Sequence, residues 1–130
     1  NSRSGQGAFR DALAARDDLS KNQQAHHIVA VDAPEAKASR DKLDRAGIHV
    51  HDPINGVGLT NHRGPHTREY YTAVNERLEN AKTLPQVVEA LRSIAMELKA
   101  ADLFGFSPND WGAAQSRSDK AEPNLGRDDR

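Results

Sequence analysis

The chain has 130 residues and a formal net charge of −1, long enough for one domain with a core and too neutral for a surface that is basic all round. Its hydrophobic content is 36%, with one Trp, two Tyr and three Phe, so part of the chain is expected not to pack. The absence of cysteine excludes disulfides, thiolate metal sites and cysteine nucleophiles; no signal peptide is visible, and no run reaches the ~20 apolar residues a membrane span needs.

The chain opens on Asn1 rather than Met, as a piece of a longer protein does. After a polar lead-in, Phe9, Ala12, Leu13, Arg16 and Leu19 fall on one stripe, predicting a first helix over 7–19. The run AHHIVAV, with β-branched Ile28, Val29 and Val31, predicts a short strand. A helix over 33–46 follows, with Asp32 as N-cap, Glu35 as its capping-box partner, Pro34 in the first turn and Gly47 at the left-handed end. Residues 56–60 predict a second strand. Thr67, Tyr71, Val74, Leu78 and Ala81 then keep the 3, 4 spacing of a helix face. Thr83 and Gln86 form a capping box ahead of the longest apolar stripe, Leu84, Val87, Val88, Leu91, Ile94, Ala95 and Leu98. From Gly105 the periodicity stops, so 1–104 reads as the domain and 105–130 as a polar C-terminal tail, with Phe104, Phe106 and Trp111 as anchors at its start.

Six histidines fall at 26, 27, 49, 51, 62 and 66. His62 and His66, in HRGPH, share a face if the turn between them is helical, which places His66 just inside a helix because Pro65 fits only a first turn. Two imidazoles so spaced chelate one divalent ion, at about 2.0–2.1 Å for zinc. Neighbours in a strand point to opposite faces, yet at a strand end or a bulge His26 and His27 can approach one cleft. They are either one core-facing and one solvent-facing histidine or, taken with HRGPH, a pair of which one completes a three-histidine metal site. The other stands beside the metal with a pKa near about 6.5, suited to taking a proton from water. Asn55 precedes Gly56 in NGVGLT, either as a plain turn residue or as a side chain tying backbone across the loop and holding the catalytic histidine. His49 and His51 alternate in IHVH and are expected to decorate one face of an extended segment. Arg63 and Arg68 are candidate phosphate clamps, and by phase Tyr71 is expected in the core and Tyr70 toward the cleft. Lys37, Arg40 and Lys42 are expected to extend a basic surface that Asp41 and Asp44 partly cancel.

The order AHHIVA, a helix ending in RAGI, NGVGL and then HRGPHTREYY resembles the AHH nucleases of the HNH/endonuclease VII superfamily, over residues 23–80. The resemblance implies a mostly helical α+β fold: a ββα-metal (His-Me finger) core, with a helical insertion between its two strands and flanking helices. It implies His62, His66 and His26 as metal ligands, His27 as general base and Asn55 as the residue orienting it. Many HNH enzymes carry Asp where this chain has His26, which makes the site all-histidine, as in colicins. The chain also departs from the family in having Thr60 where Pro is usual, and in reaching its first helical histidine sooner, so that the loop before that helix is short. The implied cofactor is one divalent ion, Mg, Mn, Ni or Zn, and the implied substrate is DNA. Such domains commonly end large bacterial polymorphic toxins, so a role in the target-cell cytoplasm and a cognate immunity protein are expected. Two other readings stay open: a non-catalytic binding module with a structural histidine–zinc site, and an RNase using the same residues. A closed zinc site needs a fourth ligand, and none stands at motif spacing.

Overall fold

The computed structural model describes residues 2–16, 19–61 and 65–117. Helix α1 (Ser2–Ala15) precedes strand β1 (Gln24–His27). A 3-10 turn (Pro34–Ala36) leads into α2 (Lys37–Ala46), and a second one (Pro53–Asn55) into β2 (Gly56–Leu59). Then come α3 (Arg68–Glu79) and α4 (Leu84–Leu103). Residues 108–117 form a further helix, α5. No helix among the described residues is long and apolar enough to cross a membrane.

The caps explain most of the boundaries. Gly47 adopts φ +80°, and the N–H of Ile48 closes on Leu43 O at 2.9 Å, ending α2 as its sequence predicts. Thr83 and Gln86 make the predicted capping box. The predicted box at Asp32 does not form. Pro34 disfavours helical backbone at Ala33, which stays extended at ψ 130° and becomes the cap itself, so the first turn is 3-10 and the α-helix waits until Lys37. Helix α1 ends at Ala15, four residues before the predicted end.

β1 and β2 pair antiparallel in unbroken register, with Gln24 opposite Leu59, Ala25 opposite Gly58, His26 opposite Val57 and His27 opposite Gly56. One continuous core joins this hairpin to α2, α3 and α4 through Ile28, Leu43, Val57, Leu59, Val74, Leu78, Leu91, Ile94 and Leu98. Phe9 and Leu13 of α1 are equally buried.

The polar tail expected from residue 105 is not what residues 108–117 form. α5 lies against α3, with Trp111 5% exposed and its indole N–H donating to Glu97 Oε1 at 3.0 Å. Gly112 is why the helices come so close: a Cβ there would stand 2.6 Å from Tyr70 Cα and 2.7 Å from Tyr70 N. The expected anchors Phe104 and Phe106 are instead 78% and 53% exposed.

Candidate active site

Because β1 has no bulge, its alternation sends the two adjacent histidines to opposite faces. His26 faces α3 and is 1% exposed. Its Nε2 lies 2.8 Å from the Tyr70 hydroxyl, which donates to Ile28 O at 2.7 Å. Burial pushes that hydroxyl well above its usual range, so it stays a neutral phenol with one proton. Since the proton is used on Ile28, His26 Nε2 must be the donor to Tyr70, and the lone pair of His26 sits on Nδ1. His66 completes this face, with its ring centroid 4.9 Å from that of His26 and stacked at 4.3 Å on Tyr70.

His27 lies on the other face and is half-buried. Phe9 of α1 stacks on it with centroids 3.8 Å apart and planes within 10°. Gly56, opposite His27, makes room for that ring, because a Cβ there would meet Phe9 Cζ at 2.5 Å. The Nε2 of His27 is 3.0 Å from Nδ1 of His51. His51 donates its backbone N–H to His49 Nδ1 at 3.1 Å. Partial burial, with His49 beside it, holds the His51 imidazole below its usual range.

Asn55 is fully buried and joins the two halves. Its Oδ1 accepts from Val29 N at 2.9 Å, and its Nδ2 donates to Val29 O at 3.1 Å and Val50 O at 2.9 Å. The side chain thus ties the backbone just past His27 to the backbone just before His51, the cross-loop tie its position suggested.

His62 and Arg63 lie outside the described residues. The segment on either side of them is held from the C-terminal part of the chain. Asp102 accepts from the N–H groups of Thr60 at 3.0 Å and Asn61 at 2.7 Å, while Asn109 accepts from Thr67 N at 2.9 Å and donates to Pro65 O at 3.2 Å. His66 is not inside a helix as its spacing suggests. Thr67 takes the N-cap position, so α3 begins only at Arg68. Among the described residues, no group of three or more His, Cys, Asp or Glu side chains is arranged to hold a metal ion.

Several expectations are corrected. Tyr70, expected to face the cleft and meet substrate, is the core residue, with 0% exposure and its hydroxyl engaged by His26 and Ile28; Tyr71 is the half-buried one. The stripe on α3 is Tyr70, Ala73, Val74 and Leu78, because the cap at Thr67 leaves the first inward position to Tyr70. Lys37, Arg40 and Lys42 do not form a basic face. Lys37 pairs with Asp41 at 2.8 Å, Arg40 donates to Ala30 O and Ala33 O, and Lys42 donates to Ala81 O. Arg68 is exposed at the start of α3. His51, expected as surface decoration, touches His27 across 24 residues of sequence.

A cluster of cations was also missed. A cavity of about 270 Å³ lies between the end of α1, the Pro53–Asn55 turn, β2 and α4, and all its charged lining residues are cations: Arg16, Arg92 and Lys99. Gly56, the partner of His27, forms part of its wall. Arg92 and Lys99 stand seven residues apart on α4, a two-turn spacing, but Arg16 is too distant in sequence for any local pattern to join it to them.

One protein-family model matches the chain over residues 10–101, and its description is AHH, a nuclease family of the HNH/ENDO VII superfamily with conserved AHH. No curated protein and no solved structure matches. The matched stretch runs from α1 nearly to the end of α4 and contains the triplet Ala25, His26 and His27. The chain belongs to the AHH nuclease family of the HNH/endonuclease VII superfamily.

Proposed function

We propose that this nuclease is a metal-dependent endonuclease hydrolysing the phosphodiester bonds of DNA through a ββα-metal site, with His27 as general base and His26, His62 and His66 as metal ligands. The observation that carries the reading is the chain from His26 through Tyr70 to Ile28. It fixes the lone pair of His26 on Nδ1, as outer hydrogen-bond partners do for metal-ligating imidazoles. His66 lies beside it, and His62, four residues before His66, is the third imidazole of the proposal. Imidazole nitrogen suits Zn and Ni better than it suits Mg and Mn. A divalent ion held there would supply positive charge against the negative charge that grows on the phosphate and on the leaving 3′ oxygen.

The remaining steps belong to the chain's own residues. On this reading the scissile phosphate lies across the end of β1, where His27 is the last strand residue. One side of it meets the ion, while His27 takes a proton from the water whose oxygen attacks phosphorus in line. The bond from phosphorus to the 3′ oxygen then breaks, and the proton leaves His27 for solvent. Asn55 holds the two backbone segments that carry His27 and His51. Arg16, Arg92 and Lys99 are placed to neutralise backbone phosphates beside the His27 face, with Arg68 a further candidate. Of the rings packed on the histidines, Phe9 and Tyr70 are buried and Tyr71 is half-buried, which favours duplex DNA over the stacked unpaired bases of a single-stranded RNA substrate. The usual setting of the family supports a toxin domain that acts in the cytoplasm of a target cell and is answered by an immunity protein.

The test is plasmid cleavage by the purified chain with Mg²⁺, Mn²⁺, Ni²⁺ and Zn²⁺ in turn, beside EDTA and a His27→Ala control. Metal-dependent nicking is expected, abolished by EDTA and reduced at least about 100-fold by His27→Ala, which retains the metal. A folded protein that binds a metal and cuts neither DNA nor RNA would sink the reading in favour of a structural zinc module.

A further inference from the structure

His27 and His51 face each other through one nitrogen each, Nε2 and Nδ1, 3.0 Å apart. Between two neutral imidazoles such a bond holds one proton, so only two polarities exist. If His51 donates, the lone pair of His27 lies on Nε2, pointing at His51, and its other nitrogen carries a proton. That histidine has no lone pair left for water. If His27 donates, its lone pair lies on Nδ1, and the ring is ready to act as a base.

We propose that His51 is the positioning residue of the general base, accepting the Nε2 proton of His27 at its own Nδ1 and thereby fixing both the angle of the His27 ring and the nitrogen that receives the proton from water. The inference rests on the nuclease reading and deepens it. Three further observations support it. The lowered pKa of His51, from partial burial and then from His49, keeps it neutral and able to accept. The His49 ring accepts the His51 backbone N–H and fixes the turn that carries it. Phe9 stacks flat on His27 and hinders the ring from tipping away from the bond. Once His27 has taken its proton, the same bond becomes charge-assisted, with neutral His51 as acceptor, which favours the protonated base. His51 thus does for His27 what Tyr70 does for His26, with the acceptor supplied by a side chain 24 residues away.

The experiment compares His51→Ala, His51→Asn and His51→Gln with the unaltered protein and the His27→Ala control in metal-dependent plasmid cleavage. The Asn amide oxygen overlays the Nδ1 position and retains an acceptor, whereas the Gln amide reaches to the Nε2 position. We expect His51→Ala and His51→Gln to lower kcat about 10–100-fold with KM within about twofold, and His51→Asn to recover most of the loss. Equal melting temperatures separate this from a folding defect. Long-range ¹H–¹⁵N NMR of the rings gives a readout independent of activity: His27 carries its proton on Nε2 in the unaltered protein and His51→Asn, and loses that preference in His51→Ala. Cleavage by His51→Ala within twofold of the unaltered protein, or His51→Asn no better than His51→Ala, overturns the assignment. No cleavage by the unaltered protein with any metal overturns the nuclease reading instead, and the NMR still decides whether His27 donates to His51.

Discussion

The two faces of β1 make the most informative comparison in this molecule, because they differ by a single step along the chain. His26 is sealed in the core, its donor nitrogen locked by a buried phenol whose proton goes to backbone. His27 is half-open, stacked on one ring and bonded to another imidazole. The supports are as different as the surroundings. α3 and α5 hold the His26 face, while α1 and the loop before β2 hold the His27 face. Strand alternation thus gives adjacent histidines separate environments, in keeping with the separate roles proposed for them, fixed ligand and proton-exchanging base.

Asn55 is the point at which both faces fail together, so its loss has the largest expected effect. Asn55→Ala leaves Val29 N–H, Val29 C=O and Val50 C=O without their side-chain partner at a position with 0% exposure. At about 1–3 kcal/mol for each buried group left unmet, with partial relaxation, the expected loss is roughly 3–5 kcal/mol. That is a large part of the ~5–15 kcal/mol that holds a domain together. Urea unfolding reads it as a lower midpoint at constant slope. A loss below about 1 kcal/mol would mean that water replaces the amide and that the two faces are not joined there.

Gly112→Ala separates the faces. The added methyl meets the backbone of Tyr70 at 2.6 and 2.7 Å, and backbone cannot swing aside as a side-chain tip can. α5 must shift, at an expected cost of about 1–3 kcal/mol, although Ala is the better helix former. The disturbance enters the His26 face through Tyr70. Metal affinity measured by calorimetry should fall several-fold, while the ring-nitrogen NMR of His27 and His51 stays as it was. Unchanged stability and unchanged metal affinity would show that α5 is not seated against Tyr70.

Gly112 also shows what could be read along the chain and what could not. Elements that announce themselves locally were legible: Gly47 at the end of α2, the Thr83–Gln86 box, the strand at 56–59 and the apolar stripe of α4. α5 was not, because PNDWGAAQSR has one large apolar residue and a mid-helix glycine, and its stability comes from fitting Tyr70 rather than from propensity. The same limit hid part of the site. His26, His27, Asn55 and the two histidines of HRGPH stood out as a motif. His51 acts through a contact 24 residues away, and the cations of the cavity come from the turn that ends α1 and from α4, far apart in sequence. Tyr70 and Tyr71 were exchanged because both lie near the inner edge of α3, and only the cap at Thr67 decides which turns inward.

Glu97 gives the smallest effect and a graded handle on the His26 face. Its carboxylate receives both Arg77 nitrogens of α3, at 2.7 and 2.9 Å, and the Trp111 indole of α5, so it pins α3, which carries Tyr70, to α5, which backs it. Burial pushes its pKa up, but the hydrogen bonds from Arg77 and Trp111 outweigh that and leave it below the ordinary value of 4.5. A carboxyl with a depressed folded pKa adds stability that is present above the unfolded value and lost as pH falls through the folded one. The side chain is 42% exposed, so solvent screening holds the contribution to about 0.5–1 kcal/mol. Glu97→Gln should therefore melt slightly below the unaltered protein at pH 7, and the gap should close as the pH drops below 4.5. A gap that persists or widens in acid would assign the effect to packing around Trp111, because protonation removes the ionic part of the interaction and leaves only shape.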